Sequence, residues 1–132
     1  MLKSQYQRIV DLIIGRYPTA SAIYLFGSRA TGQHKLNSDW DIGLLITEKL
    51  LPQERWNLSE TLCELLNSQV DLVELLQAST VLQMQVITTG KILFHKQPIK
   101  ANFEMQVFCM YGRLQESRGK IIEQFISETK NA

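Results

Sequence analysis

The sequence predicts an α/β fold, a small mixed sheet with helices packed on it. Three observations predict it. Short β-rich apolar runs alternate with segments whose apolar residues recur at helical spacing. The runs end at glycine, proline or Asn-Ser signals. The 132 residues, 45% hydrophobic and 20% charged, have the balance of a soluble globular protein that buries one core.

Residues 3 to 15 read as an amphipathic helix from the spacing of Leu2, Tyr6, Ile9, Val10 and Ile13, closed by Gly15 and Pro18. Ala22 to Phe26 is too short for a buried helix and stops at Gly27, so it is expected to be a central strand. Ser28 to Gly32 begins a helical turn, and the polar stretch from Gly32 to Ser38 is expected to be an exposed, mobile connection. Trp40 to Ile46 is the second strand. Its period of two puts Asp39, Asp41 and Gly43 on one face, expected to carry the acids, and Trp40, Ile42, Leu44 and Ile46 on a buried one.

Pro52 opens a helix whose stripe is Leu58, Leu62, Leu65 and Leu66, and Asn67-Ser68 ends it. Val70 to Leu75 reads as a third strand with Asp71 inside an apolar run. Ser79 or Thr80 caps a helix to about Thr89, Gly90 suits its C-terminal end, and Ile92 to Phe94 is a short edge strand. Phe103, Val107, Tyr111, Leu114, Ile121, Ile122 and Phe125 mark a last helix from about 103 to 128, most simply packed on the core, with Ser127 to Ala132 fraying. One domain over 1–132 is expected, its core about 1–95, because neither a repeat nor a linker divides the chain.

The formal net charge of +1 is too small for a general polyanion binder, and no basic stripe interleaved with aromatics argues for direct nucleic-acid binding. No stretch nears the roughly 18 apolar residues of a membrane span, and Met1 to Tyr6 lacks a signal-peptide layout, so a cytoplasmic protein is expected. Cys63 and Cys109 show no metal-ligand spacing with His34 or His95, and buried free thiols are expected.

Chemistry concentrates in Tyr24-Leu-Phe-Gly-Ser-Arg-Ala-Thr-Gly32 and Ser38-Asp-Trp-Asp-Ile-Gly-Leu-Leu-Ile46. Gly27 allows close backbone approach and Ser28 adds a hydroxyl at a helix start, which makes either a phosphate cradle or an ordinary capped turn. Gly27 to Gly32 also matches the first six positions of a P-loop, but Gln33-His34 stands where Lys and Ser/Thr are required. Any cation must therefore be held elsewhere. Asp39 and Asp41, with Cα atoms roughly 6.5 to 7 Å apart on one strand face, could converge on a hard cation, or could be solvated acids at a strand's start. Asp71 would be costly to bury alone, so it either joins those acids at a metal site or pairs with an arginine. Three carboxylates and a phosphate cradle fit two-metal phosphoryl or nucleotidyl transfer.

Gly27-Ser28, a ten-residue gap, Asp39-Trp-Asp41 and Asp71 together resemble the nucleotidyltransferase fold typified by DNA polymerase beta. The surrounding sequence is more similar still to its minimal branch, the MntA-like antitoxins of HEPN/MNT toxin–antitoxin pairs, over roughly residues 1 to 95. The resemblance implies ATP as donor, two Mg²⁺ ions, and transfer of AMP to a tyrosine hydroxyl on a cognate HEPN ribonuclease toxin. It implies that Gly27 and Ser28 hold the β- and γ-phosphates and that Asp39 and Asp41 bind both metals. Asp71 would hold the metal beside the acceptor hydroxyl and help to deprotonate it.

Arg29 could reach the triphosphate, or be an exposed or ion-paired helix-start arginine. His34 and Lys35 are expected to be solvated loop residues. No stretch is left over for an acceptor-binding domain, so the acceptor is expected on another molecule, and Gly112 with Gly119 could let the last helix approach a partner. Stoichiometric occlusion without catalysis, and a small-molecule nucleotidyltransferase of the antibiotic-modifying kind, are the competing functions.

Overall fold

β1 (Ala22–Phe26) is buried along its whole length, and the other elements are arranged to cover it. In the computed structural model, which describes residues 4–35 and 38–130, it is one of two central strands in a four-stranded sheet of order β3-β2-β1-β4. β2 (Trp40–Leu45) and β4 (Lys91–His95) flank it antiparallel, and β3 (Val70–Glu74) adds to β2 in parallel, so the sheet is mixed. The parallel pair requires a crossover, supplied by α3 (Pro52–Leu66).

Helices lie on both faces. On one, α1 (Gln5–Arg16) and α3 bury Ile9, Ile13, Leu58, Leu62 and Leu66 against Ile23, Leu25, Trp40, Ile42, Leu44 and Leu72. On the other, a 3₁₀ turn (Leu75–Gln77), α4 (Thr80–Thr89) and α5 (Ile99–Lys130) bury Leu75, Val86, Phe103 and Val107 against Ala22, Tyr24, Phe26 and Leu45. The helix starts follow local chemistry: Ser4 accepts from the Gln7 amide at 3.1 Å, and Ser79 from the Leu82 amide at 3.2 Å. The one-turn α2 (Ser28–Thr31) connects β1 to the loop before β2, and closes at Gly32 in the left-handed region.

Four expectations change. The acid-bearing face of β2 is open only at its start, because Leu75 packs over Gly43 at 3.1 Å from where a Cβ would stand and Leu45 is buried beside it. Asp71 is exposed, since β3 is an edge strand whose solvent side accommodates a carboxylate without a buried partner. The last helix begins at Ile99, and its stripe packs as core only through Phe103 and Val107; Tyr111 and Leu114 are half-buried and Ile121 is exposed. That helix has 32 residues, about 48 Å at 1.5 Å per residue, and outruns a sheet of five- and six-residue strands. Finally, Cys109 is exposed on α5 and Cys63 half-buried on α3; both thiols are free.

Leu2, Lys3, Leu36, Asn37 and residues 131–132 lie outside the described residues, as do the side chains of Ile122 and Phe125. Among the described residues no helix is long and apolar enough to cross a membrane.

Candidate active site

The antiparallel register pairs Phe26 with Asp41, so the chain leaves β1 immediately beside the second acid of β2. Gly27 then adopts φ +72° and ψ −156°, a region essentially closed to side chains. A Cβ at Gly27 would collide with Oδ2 of Asp41. The glycine therefore serves two ends, reversing the chain and leaving the carboxylate room. Beyond it the Gly27 carbonyl accepts from the amides of Ala30 and Thr31 at 3.1 and 3.3 Å, closing the single turn of α2. The turn is too short for much of a helix dipole, so any anion held at Gly27-Ser28 relies on the leading amides and the Ser28 hydroxyl.

On the other side of β2, the parallel register places Asp41 beside Asp71. Neighbouring strands lie about 4.8 Å apart, so the two Cα atoms are closer than those of Asp39 and Asp41 on one strand. The electrostatic consequence falls on Asp41, which is half-buried while Asp39 and Asp71 are exposed. Burial pushes its carboxyl above the usual carboxylate range, and the negative charges of Asp71 and Asp39 push it further. An acid destabilised as an anion by two other acids is a site to which a cation brings the missing charge.

The donor set is all oxygen, which suits a hard divalent ion such as Mg²⁺. Among the described residues no group of three or more acidic, histidine or cysteine side chains is arranged to hold a metal ion by itself. Mg²⁺ commonly sits on one or two carboxylates and completes its shell with phosphate oxygens and water, so an open trio suits a metal–nucleotide complex. Asp39, Asp41 and Asp71 are the carboxylates from which such a complex could draw oxygens.

Arg29 takes a course that sequence spacing does not reveal. Its Nε and Nη2 donate to the Ser38 carbonyl at 3.1 and 3.0 Å, and its guanidinium carbon lies 4.3 Å from the centre of the Trp40 ring. Trp40 belongs to the α1/α3 side of β2, opposite to the face of Asp39 and Asp41. The guanidinium thus grips the loop end of β2, with the Tyr6 ring edge-on to Trp40 at 6.3 Å behind it. His34 and Lys35 are exposed, and His34 lines a cleft with Arg29, Tyr6 and Trp40.

Asp71 lines a groove of about 460 Å³ together with Lys49, Arg55, Trp56, Ser59 and Glu74 among others. Glu74 is buried, accepts from the Leu50 amide at 2.9 Å and faces Arg55 at 3.7 Å, which fixes the groove's floor. Trp56 is 62% exposed. Its only sequence signal is its position off the stripe of Leu58, Leu62 and Leu66, where a large aromatic has no packing role.

The polymerase beta nucleotidyltransferase family model matches residues 8–99, which include Gly27, Ser28, Asp39, Asp41 and Asp71 and exclude nearly all of α5. The protein adenylyltransferase MntA of Shewanella oneidensis strain MR-1 is 40% identical over 122 residues, 92% of this chain and 88% of that protein. A solved toxin–antitoxin structure with AMP-PNP is 40% identical with a TM-score of 0.81, over 92% of this chain and 98% of that one. A solved complex of a tri-AMPylated Shewanella oneidensis HEPN toxin with its MNT antitoxin is 37% identical with a TM-score of 0.76, over 92% of this chain and 96% of that one. By the family model over residues 8–99 and 40% identity across 92% of its length, this chain belongs to the polymerase beta-type nucleotidyltransferases, in the branch of the MntA protein adenylyltransferases.

Proposed function

We propose that this chain is a Mg²⁺-dependent protein adenylyltransferase and antitoxin. It moves AMP from ATP to a tyrosine hydroxyl of a cognate HEPN-type toxin in the cytoplasm and thereby silences the toxin. The observation that carries the reading is the position of Asp41, flanked by Asp71 across the parallel ladder and by Asp39 just before its own strand, with Gly27 packed on its carboxylate. The relative with 40% identity is a protein adenylyltransferase, and solved relatives include a toxin–antitoxin pair with AMP-PNP and an AMPylated HEPN toxin with its antitoxin.

In this reading the Gly27 backbone and the Ser28 hydroxyl receive the β- and γ-phosphates. Asp39 and Asp41 face the triphosphate from β2, and Asp71, exposed at the sheet edge, faces the acceptor. The acceptor oxygen forms a bond to the α-phosphorus as the bond to the β-phosphate bridge breaks. Pyrophosphate leaves, and the hydroxyl proton passes to Asp71 or to water beside it. Bound Mg²⁺ supplies charge neutralisation on the phosphates and lowers the pKa of the attacking hydroxyl.

An edge position for Asp71 suits a macromolecular acceptor, because the third acid opens to solvent in a surface groove at the sheet edge. The intact mass of a candidate toxin before and after incubation with the chain, ATP and Mg²⁺ tests the reading. Whole increments of about 329 Da, one AMP each, are expected from this transfer chemistry. An unmodified mass alongside full inhibition would instead assign the effect to occlusion.

A further inference from the structure

Asp39 lies just before β2 begins and is exposed, so the strand ladder does not itself fix its orientation. The flanking residues are fixed. The Ser38 carbonyl belongs to the same planar peptide unit as the Asp39 amide, and two guanidinium nitrogens of Arg29 hold that carbonyl at 3.1 and 3.0 Å. On the other side of Asp39, the Trp40 ring is 3% exposed and carries the same guanidinium at 4.3 Å. One side chain therefore brackets the acid, gripping the residue before it and the residue after it.

Each end of this bracket is anchored. Trp40 is held edge-on by Tyr6 of α1, whose ring lies 5.9 Å from the Lys91 ammonium of β4. Ser38 is tied to Lys35, its amide donating to the Lys35 carbonyl at 3.1 Å and its hydroxyl accepting from the Lys35 amide at 2.8 Å. Arg29 itself stands two residues after Gly27, in the single turn of α2. A planar fork that donates twice to one oxygen while stacking on an indole is a geometry that lysine cannot reproduce.

We propose that Arg29 is a positioning residue: it locks the Ser38–Asp39 peptide against Trp40 so that Asp39 stays aimed with Asp41 toward the Gly27-Ser28 turn. The inference rests on the reading of Asp39 and Asp41 as cation ligands. The other role open to the guanidinium is the expected contact with the triphosphate.

The sign of one measurement separates the two roles. Removing a positive charge near a cation site strengthens cation binding by Coulomb's law, whereas loosening a ligand weakens it. With Mn²⁺ as a paramagnetic probe on the full chain with AMP-PNP, Arg29→Gln is expected to raise the half-saturating Mn²⁺ concentration about tenfold or more, the usual cost of losing a supporting partner. AMP-PNP binding in EDTA is expected to stay within about twofold of wild type, since no metal ligand is then in use. Arg29→Lys keeps the charge and the fold but not the fork, and is expected to behave like Arg29→Gln.

Unchanged or tighter Mn²⁺ binding in both variants overturns the proposal. So does a loss of AMP-PNP binding in EDTA, which would assign Arg29 to the phosphates. Asp39→Asn is the control: if it leaves Mn²⁺ binding intact, the ligand reading of the acids fails, whereas weakened binding there with no effect at Arg29 overturns this inference alone.

Discussion

Asp41 and Asp71 are side-by-side partners in the parallel register of β2 and β3, two carboxylates on one rung of the ladder. Like charges so placed destabilise a ladder, and every group that shifts Asp41 shifts it upward. The fold thus carries an electrostatic load at this point, concentrated beside Gly27.

That load makes Asp41→Asn a stabilising change in metal-free protein. The folded-state pKa of Asp41 is raised, so the folded chain holds its proton more tightly than the unfolded chain does. Stability is therefore lost as pH rises from the unfolded carboxylate value through the folded one, and it is restored at low pH. Urea unfolding in EDTA from pH 4 to 7 should show the variant gaining most over wild type at neutral pH and little at pH 4. A pH-independent difference would contradict the electrostatic cause. The same titration predicts that metal-dependent nucleotide binding weakens as Asp41 is protonated.

Gly27→Ala is expected to fail in two ways. The backbone at φ +72° and ψ −156° would cost a side-chain residue about 1 to 3 kcal/mol. The new methyl would also displace the Asp41 carboxylate. Denaturant unfolding reads the first effect and nucleotidyl transfer the second, which should fall on the order of 10²-fold for a misplaced ligand. Full activity with only lower stability would show that Asp41 does not need this space.

The order of elements is legible in the sequence because each carries its own period: two in Trp40 to Leu45, three to four in Leu58, Leu62 and Leu66, with a serine cap before α4. The pairing of Asp39 with Asp41 on one face follows from the same arithmetic. The exposure of Asp71 does not, since Val70, Leu72 and Val73 read alike in an edge and in a central strand, and only the order β3-β2-β1-β4 distinguishes them. Nor does the course of Arg29, which is set by a carbonyl nine residues away and by an indole from another element. The stripe of α5 could not reveal its own end, because helical periodicity continues after the sheet beneath it stops.

Tyr24 ties α5 to the sheet, donating its hydroxyl to Glu104 at 2.8 Å while Lys100 faces the same carboxylate at 3.0 Å. Burial, then the hydrogen bond and negative charge of Glu104, hold the phenol above its ordinary pKa, so it stays protonated as a donor. Tyr24→Phe removes one donor and leaves Glu104 with Lys100, so a loss of about 1 kcal/mol is expected by calorimetry. Nucleotide binding should be retained; its loss would mean that the tie also shapes the site.

Met105 and Phe108 are 66% and 48% exposed on α5, outside the packed positions Phe103 and Val107. Partner binding through this helix predicts that Met105→Glu with Phe108→Glu weakens the toxin complex about tenfold or more in titration calorimetry. Stability should change by no more than about 0.5 kcal/mol, as for other exposed positions. Unchanged affinity would move the interface elsewhere, with the groove beside Asp71 and Trp56 the next surface to vary.

The account stands most directly on the acids of β2. Incubation of the cognate toxin with α-labelled ATP, Mg²⁺ and the wild-type chain should transfer label to the toxin. Asp39→Asn and Asp41→Asn, each shown to be folded by circular dichroism, should transfer none. Label that still reached the toxin in both variants would contradict the assignment of these acids to nucleotidyl transfer.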